Sequence, residues 1–244
     1  MDERVIELIR ESNTGSKPLV YLPKDLKNTL VLEKTNLIEA QTGQRDIKRD
    51  YDFIRQIGSG SFGIVCEYRN KTTKAKRAVK ILDLEKLLCI SNSEKQIITE
   101  LTALKSLDHT NIMNLYSIYK NELQIYIVSE LFEDGTLESR YKSRKSIHEE
   151  EHAEWISQIL KALAYCHSFV LAHRDLKPEN IMFSGNTLKL IDFGLSGFME
   201  AKKLFKSTVG SPIFMAPEVI TKCLYTEKCD LWSLGIVIIN TFTG

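Results

Sequence analysis

Residues 173–180 read His-Arg-Asp-Leu-Lys-Pro-Glu-Asn, and residues 192–194 read Asp-Phe-Gly. This arrangement places Asp175, Lys177 and Asn180 close together, with a second carboxylate, Asp192, twelve residues after the asparagine. Such residue types can accept a hydroxyl proton, neutralise charge on a phosphoryl group and hold Mg²⁺ through oxygen atoms. The pattern therefore indicates that the chain handles a nucleoside triphosphate together with its Mg²⁺.

A glycine motif lies upstream, at Gly58-Ser59-Gly60-Ser61-Phe62-Gly63. Motifs of this form occur in dinucleotide-binding folds and also in hairpins that cover phosphates. A dinucleotide fold begins a helix at the last glycine, whereas the residues at 64–68, Ile-Val-Cys-Glu-Tyr, favour a strand. We therefore expect a hairpin whose backbone amides approach phosphate oxygens. A dinucleotide-dependent oxidoreductase is kept as an alternative function.

With Ala78-Val79-Lys80, these motifs resemble the signature set of the eukaryotic protein kinase family, and Lys177 is typical of its serine/threonine-specific branch. The resemblance covers residues 51–244. The sequences at 105–109 and 225–235 look most similar to the calcium/calmodulin-dependent and calcium-dependent groups of protein kinases. The chain contains no D-x-D-x-D-G calcium-binding loop.

Hydrophobic patterning predicts strands at 51–56, 64–68, 76–82, 113–119 and 124–131, and helices at 93–107 and 149–168. Strands followed by helices indicate an α+β fold. The resemblance implies a two-lobed kinase fold with a five-stranded antiparallel N-lobe, helix C, and a mainly helical C-lobe that is incomplete after helix F. We expect a partly disordered N-terminal extension at 1–50, the N-lobe and hinge at 51–132, and the truncated C-lobe at 133–244.

The resemblance implies that ATP and Mg²⁺ bind here. Glu100 would pair with Lys80, and Ser129 would occupy the gatekeeper position, where its small side chain would leave a back pocket open to bulky purine analogues. The residues expected to contact the nucleotide are Ile57, Gly58, Ser59, Gly60, Ser61, Phe62, Gly63, Val65, Ala78, Lys80, Glu100, Ser129, Glu130, Phe132 and Met182.

The resemblance also assigns the catalytic groups. Asp175 would act as the catalytic base toward the substrate hydroxyl, and Lys177 would neutralise the developing charge on the phosphoryl group. Asn180 and Asp192 would bind Mg²⁺. Asp230, at the start of helix F, would hold the backbone of the loop that carries Asp175.

Regulation and substrate choice are expected to follow from the same likeness. Protein substrates would present serine or threonine acceptors. Phosphorylation of Ser207 or Thr208 by an upstream kinase would supply negative charge facing Arg174, a cation that is costly to bury unpaired. Glu179 matches a position that contacts arginine in basic substrates, but Thr136 stands where such kinases carry a second glutamate. A preference for basic substrates therefore does not follow.

Composition narrows the remaining possibilities. The 33 lysines and arginines balance 32 acids, giving a net charge of +1 and no reason to expect nucleic acid or a membrane as the partner. Five scattered cysteines without a C-x-x-C pair are typical of a reducing compartment. We expect a monomeric cytoplasmic protein, with the nucleus left open as a location. A kinase-like scaffold that binds ATP but is catalytically weak, because its C-lobe is truncated, is the alternative to an active enzyme.

Overall fold

A computed structural model describes residues 46–60, 63–85, 104–105, 107–121, 123–143, 147–199, 204–221 and 224–243. The described residues fall into two compact units. The first unit contains the described residues up to 85 together with 114–131. The second contains 104–113 and the described residues from Phe132 onward.

The first unit is built on an antiparallel sheet with the strand order β1-β2-β3-β5-β4. Its strands are β1 (Tyr51–Gly60), β2 (Gly63–Asn70), β3 (Lys76–Asp83), β4 (Leu115–Lys120) and β5 (Gln124–Ser129). The predicted five-stranded antiparallel sheet is confirmed. The first two strands are longer than predicted because the hairpin ladder continues to the pair Gly60–Gly63. The fourth strand begins at Leu115 and not at Met113, whose N–H instead bonds to the Leu190 carbonyl at 3.0 Å.

One face of this sheet carries a cluster of buried aromatic and β-branched side chains, among them Tyr51, Tyr68, Val79, Tyr119 and Val128. The residues just before β1 pack on this cluster. Ile47 lies in a single 3-10 turn, Ile47–Arg49, and is only 2% exposed. The Tyr119 hydroxyl donates to Asp50 Oδ2 at 2.8 Å.

This short segment belongs to the 1–50 extension of the sequence analysis, whose residues 1–45 lie outside the described ranges. Ile47 is thus part of the first unit's hydrophobic core, and Asp50 is joined to that core through Tyr119. Their side chains bury apolar area and satisfy a tyrosine hydroxyl, both of which stabilise the sheet.

The second unit is mainly helical. Its helices are α1 (Leu137–Ser143), α2 (Glu149–Ser168), α3 (Pro217–Ile220) and α4 (Cys229–Thr243). Its short strands are β6 (Leu171–Ala172), β7 (Ile181–Ser184), β8 (Thr187–Leu190) and β9 (Gly197–Phe198). Strand β6 pairs with β9 and β7 with β8, both antiparallel. Single 3-10 turns occur at Pro178–Asn180 and Pro212–Phe214.

Helix α2 confirms the helix predicted at 149–168. Its first turn contains three glutamates, which favour a helix N-terminus, and its apolar stripe is buried at Trp155, Ile159, Leu163 and Cys166. Of the helix predicted at 93–107, Leu104 and Lys105 have helical geometry, Leu107 is buried but not helical, and residues 93–103 and 106 lie outside the described ranges. No helix among the described residues is both long and apolar enough to span a bilayer.

Helix α4 corresponds to the helix F expected from the sequence, and begins at Cys229, one residue before Asp230. Its apolar residues are unevenly covered. Val237 is 1% exposed, whereas Ile239 is 56% exposed. Helical geometry explains the difference, because residues two positions apart are separated by a rotation of about 200° and so lie on nearly opposite faces.

We predict that Ile47→Ala lowers the free energy of unfolding by about 2–4 kcal/mol, because it removes a buried side chain and leaves a cavity under the sheet. Leu123→Ala, in the same unit but 69% exposed, should cost less than about 0.5 kcal/mol. Urea denaturation monitored by far-ultraviolet circular dichroism measures the free energy of unfolding of both variants. Equal midpoints for Ile47→Ala and Leu123→Ala would show that the segment before β1 does not support the fold.

Candidate active site

In the first unit, strand register brings several predicted nucleotide contacts to one face of the sheet. Val65 on β2 pairs with Lys80 on β3, and Ala78 on β3 pairs with Ser129 on β5. Directly paired residues share a face, and so do residues two positions apart on a strand. Val65, Ala78, Lys80 and Ser129 therefore lie together, opposite the face that carries the Tyr51 cluster.

The glycine motif forms the hairpin between β1 and β2. Gly58 pairs with Val65, which links the motif to the face just described. A Cβ at Gly63 would lie 1.8 Å from the Ile81 carbonyl oxygen, so only glycine permits this close approach of β2 to β3. Ile57 and Ser59 are exposed along β1. Ser61, Phe62 and Glu100 lie outside the described residues.

The end of β5 supplies the predicted gatekeeper. Ser129 is 7% exposed, and its hydroxyl donates to the Ala78 carbonyl at 3.5 Å. The next residue, Glu130, uses its N–H to bond the Asn114 carbonyl at 3.0 Å. Its carboxylate accepts from the Asn114 amide at 3.2 Å. Glu130 is therefore fixed at both its backbone and its side chain. Phe132, half-buried, belongs to the second unit.

In the second unit, the Asp175 carboxylate is the centre of a dense hydrogen-bond cluster. Asp175 Oδ1 accepts from the Ser211 N–H at 2.9 Å and from the Ser211 hydroxyl at 2.8 Å. Asp175 Oδ2 accepts from Asn180 Nδ2 at 3.0 Å and lies 2.9 Å from Lys177 Nζ. The Lys177 ammonium also donates to the Ser211 hydroxyl at 2.8 Å. Lys177, predicted to act on the phosphoryl group, thus lies directly beside the predicted base.

This cluster has a chemical consequence. A carboxylate offers about four acceptor sites, and four donors of this chain occupy those of Asp175. An incoming alcohol must therefore displace one donor, and the Ser211 hydroxyl is chemically the same kind of group. The sequence analysis did not link Ser211 to Asp175. Only the fold shows this contact, because the two residues are 36 positions apart.

The backbone of the Asp175 loop is held by Asp230, at the first turn of α4. Asp230 is fully buried, and its Oδ2 accepts from the His173 N–H at 2.8 Å while its Oδ1 accepts from the Arg174 N–H at 2.8 Å. A third partner, His167 Nε2, lies 2.9 Å from Oδ2. Arg174 needs this support because its φ of +65° is left-handed, a conformation that costs a non-glycine residue about 1–2 kcal/mol.

Two buried cysteines, Cys166 and Cys229, share the surroundings of Asp230. Burial, followed by the negative charge of Asp230, raises the pKa of the Cys166 thiol to about 12. The same two causes raise the pKa of the Cys229 thiol well above its usual range. Both thiols therefore stay protonated at neutral pH. In such a low-dielectric setting the hydrogen bonds to Asp230 are strong, and their loss would be costly.

Asn180 and Asp192, the predicted Mg²⁺ ligands, flank the open end of the β7–β8 hairpin. Ile181 pairs with Leu190, and the Ile191 N–H donates to the Asn180 carbonyl at 3.0 Å. The hairpin therefore brings together residues that are twelve positions apart. Asp192 is exposed and has a left-handed φ of +60°. Met182, the predicted adenine contact, is half-buried in the middle of β7.

The donor set at this hairpin suits Mg²⁺. Asn180 uses its amide nitrogen to bond the backbone and side chain of Asp175, so its amide oxygen is the atom that could contact a cation. Asp192 adds a carboxylate. The described residues contain no cluster of three histidine, cysteine, aspartate or glutamate side chains that could hold a metal alone. Two oxygen ligands completed by substrate phosphates are the usual arrangement for Mg²⁺.

Arg174 differs from the expectation of a poorly paired cation. Its Nε donates to the Leu195 carbonyl and its Nη2 to the Ser196 carbonyl, each at 2.8 Å. Its Nη1 donates to the Ser207 hydroxyl at 3.2 Å. Thr208, the other predicted phosphorylation site, instead donates its hydroxyl to the Val219 carbonyl at 3.4 Å. Among the described residues the cation is therefore already satisfied by neutral groups.

Comparison with known proteins accounts for this arrangement. The family model described as "Protein kinase domain" matches residues 51–244. The chain is 33% identical over 245 residues to calcium-dependent protein kinase 4 of Plasmodium falciparum, covering 97% of this chain and 44% of that protein. It is 34% identical over 249 residues to serine/threonine-protein kinase 33 of Mus musculus, covering 97% of this chain and 50% of that protein.

A third relative, calcium-dependent protein kinase 5 of Plasmodium falciparum, is 36% identical over 193 residues, which cover 78% of this chain and 33% of that protein. The chain thus spans half or less of the length of these curated relatives. The family match covers most of the chain and includes every described residue of the Asp175 cluster. The chain belongs to the protein kinase domain family, and its relatives include serine/threonine and calcium-dependent protein kinases.

Proposed function

We propose that this chain transfers the γ-phosphoryl group of ATP to serine or threonine hydroxyls of protein substrates, with Asp175 as the catalytic base. The observation that carries the proposal is the Asp175 cluster, in which a buried carboxylate contacts a lysine, an amide and a hydroxyl within 3.0 Å. Relatives named as serine/threonine and calcium-dependent protein kinases support the same activity.

Each member of the cluster has a defined task in this proposal. The Asn180 amide orients Asp175 Oδ2 by donating to it and to the Asp175 carbonyl. The substrate alcohol takes the place of the Ser211 hydroxyl and donates its proton toward Asp175 Oδ1. Lys177 is then positioned to stabilise negative charge on the phosphoryl oxygens. Mg²⁺, held by Asn180 and Asp192, would neutralise phosphate charge when bound.

The first unit is proposed to bind the nucleotide. Lys80 is half-buried at the centre of the sheet, beside Val65, and can supply a cation for phosphate oxygens. Ala78 and Ser129, on the same face, offer a small apolar surface and a hydroxyl near the predicted position of the adenine ring. The glycine hairpin, joined to this face through the Gly58–Val65 pair, provides backbone amides for phosphate.

We predict that Asp175→Asn lowers kcat for phosphoryl transfer by about 10²–10⁴-fold, since the amide cannot accept the substrate proton. ATP affinity should change by less than about threefold, because Asp175 does not contact the nucleotide base in this proposal. Transfer of radiolabelled phosphate to a mixed protein substrate measures the rate, and calorimetry measures ATP binding. Asp52→Asn, an exposed aspartate on β1, serves as the matched control and should retain full activity.

The same measurements distinguish an enzyme from a scaffold. Wild-type protein that binds ATP but transfers no phosphate would favour the scaffold alternative. Wild-type activity that survives Asp175→Asn would refute the assignment of Asp175 as the base.

Ser207 is the proposed site of activating phosphorylation. The Ser207 hydroxyl is exposed and accepts from Arg174 Nη1, whereas the Thr208 hydroxyl is engaged with Val219. A phosphate on Ser207 would add about two negative charges next to the guanidinium and create charge-assisted hydrogen bonds. An upstream kinase is the proposed partner that adds this group.

We predict that phosphoserine incorporated at position 207 raises kcat about tenfold over the unmodified protein. Thr208→Val should leave this increase intact because it keeps the shape of the side chain and the contact with Arg174 is made by Ser207. The comparison requires the phosphate-transfer rates of four proteins: wild type and Thr208→Val, each with serine or phosphoserine at position 207. An equal rate for the phosphorylated and unmodified proteins would contradict the proposal.

We predict that Ser129→Met weakens binding of purine inhibitors with a bulky ring substituent by at least about tenfold. The methionine would fill the space beside Ala78 that the serine leaves open. The parent purine inhibitor without the substituent is the control, and its inhibition constant should change by less than about threefold. Equal inhibition of both proteins by the bulky compound would mean that Ser129 does not border the nucleotide pocket.

A further inference from the structure

The Arg174 guanidinium contacts uncharged groups of the second unit. Its partners are the carbonyls of Leu195 and Ser196, the Ser207 hydroxyl and one aromatic ring. None of these partners is charged, and among the described residues no carboxylate lies within 4.0 Å of the guanidinium nitrogens. The cation is therefore stabilised by dipoles and by the negative face of a ring.

The ring is that of Phe205, whose centroid lies 4.7 Å from Arg174 Cζ. This distance is within the range of cation–π interactions. Phe205 is fixed by a two-residue antiparallel bridge to Tyr225, with N–H···O distances of 2.9 and 3.3 Å. The two rings also contact each other, with centroids 5.3 Å apart. Tyr225 is 3% exposed, so Phe205 is held by a buried partner.

Gly197 makes room on the other side of this contact. A Cβ at position 197 would lie 2.7 Å from Arg174 Nη2 and 2.9 Å from Phe205 Cε1. Any residue other than glycine at position 197 would therefore push the guanidinium and the ring out of their present positions. Tyr225 adds a further link, since its hydroxyl donates to the Ser207 carbonyl at 2.6 Å. The ring, the cation and the phosphorylation site thus form one packed group.

This group acts on the residue that precedes Asp175. Arg174 has a left-handed backbone and depends on Asp230 for its N–H partner. Fixing its side chain as well restricts the rotation of the peptide that joins it to Asp175. The contact with Phe205 can therefore influence where the Asp175 carboxylate lies, although Phe205 itself does not touch Asp175 in the described structure.

We propose that Phe205, braced by Tyr225, is a positioning residue that holds Arg174 and the Asp175 loop in place when Ser207 is unphosphorylated. The inference rests on the proposed kinase function. It implies a basal rate of phosphoryl transfer that does not need Ser207 phosphate. It also implies that Phe205 matters less when Ser207 is phosphorylated, because the phosphate dianion attracts and positions the same guanidinium.

The test compares Phe205 with Phe205→Leu, each with serine or phosphoserine at position 207. In the unmodified protein, Phe205→Leu should lower kcat about three- to tenfold, the range expected for loss of a partly buried cation–π contact, with KM for ATP unchanged. In the phosphorylated protein the loss should be less than about twofold. Pentafluorophenylalanine at position 205 keeps the shape but reverses the ring's electrostatics, and should behave like leucine.

Phe169→Leu is the matched control. Phe169 is a buried phenylalanine of the same unit whose ring contacts Tyr165 and not a cation. Its substitution should have the same effect on the rate whether or not Ser207 is phosphorylated. A Phe205→Leu effect that is also equal in the two forms, or full activity with pentafluorophenylalanine, would overturn the proposal.

A second readout separates this proposal from the proposed function. The midpoint of thermal unfolding of the protein reports the Phe205–Arg174 contact without any catalysis. Pentafluorophenylalanine should lower the midpoint in the wild-type background but not in Arg174→Gln, which removes the cation. If pentafluorophenylalanine lowers the midpoint only when Arg174 is present, and no variant transfers phosphate, the contact is supported and the kinase activity is refuted. If pentafluorophenylalanine lowers the midpoint equally in wild type and in Arg174→Gln, the contact is refuted even if the protein is active.

Discussion

The arrangement of the second unit depends on one buried carboxylate. Asp230 is fully buried and accepts hydrogen bonds from the His173 and Arg174 N–H groups, while His167 lies within 2.9 Å. A buried carboxylate with all its partners present is rigid, and one that loses a partner is costly. Asp230 can therefore offset the left-handed backbone of Arg174, which places the next residue, Asp175, at the centre of its own cluster.

Three aspartates of the same unit illustrate how surroundings decide chemistry. Asp230 is buried among thiols and backbone N–H groups and serves as an anchor. Asp175 is nearly buried but contacts a lysine and a hydroxyl, so it can exchange one partner for a substrate. Asp192 is exposed at the end of a hairpin, where a cation and phosphates can reach it. In the proposed function, these identical side chains would thus have structural, proton-accepting and metal-binding roles.

In the proposed function, Arg174 would connect these roles with regulation. Its backbone bonds to Asp230, and its guanidinium reaches the carbonyls of Leu195 and Ser196, the Phe205 ring and the Ser207 hydroxyl. The sequence suggested that this cation would need a phosphate. Neutral groups satisfy it instead, so phosphate at Ser207 would strengthen an existing arrangement and not create one. The proposed roles of Phe205 and Ser207 follow from this difference.

The sequence by itself determined the family, the five-stranded sheet and the helix at 149–168, because these depend on local motifs and on hydrophobic periodicity. It could not fix the ends of β4 and β5, since strand pairing ends where a partner is lost. It also missed the contacts of Ser211 and Phe205, which join residues more than 30 positions apart. Only tertiary structure decides such contacts, because they arise from chain folding and leave no periodic signal in the sequence.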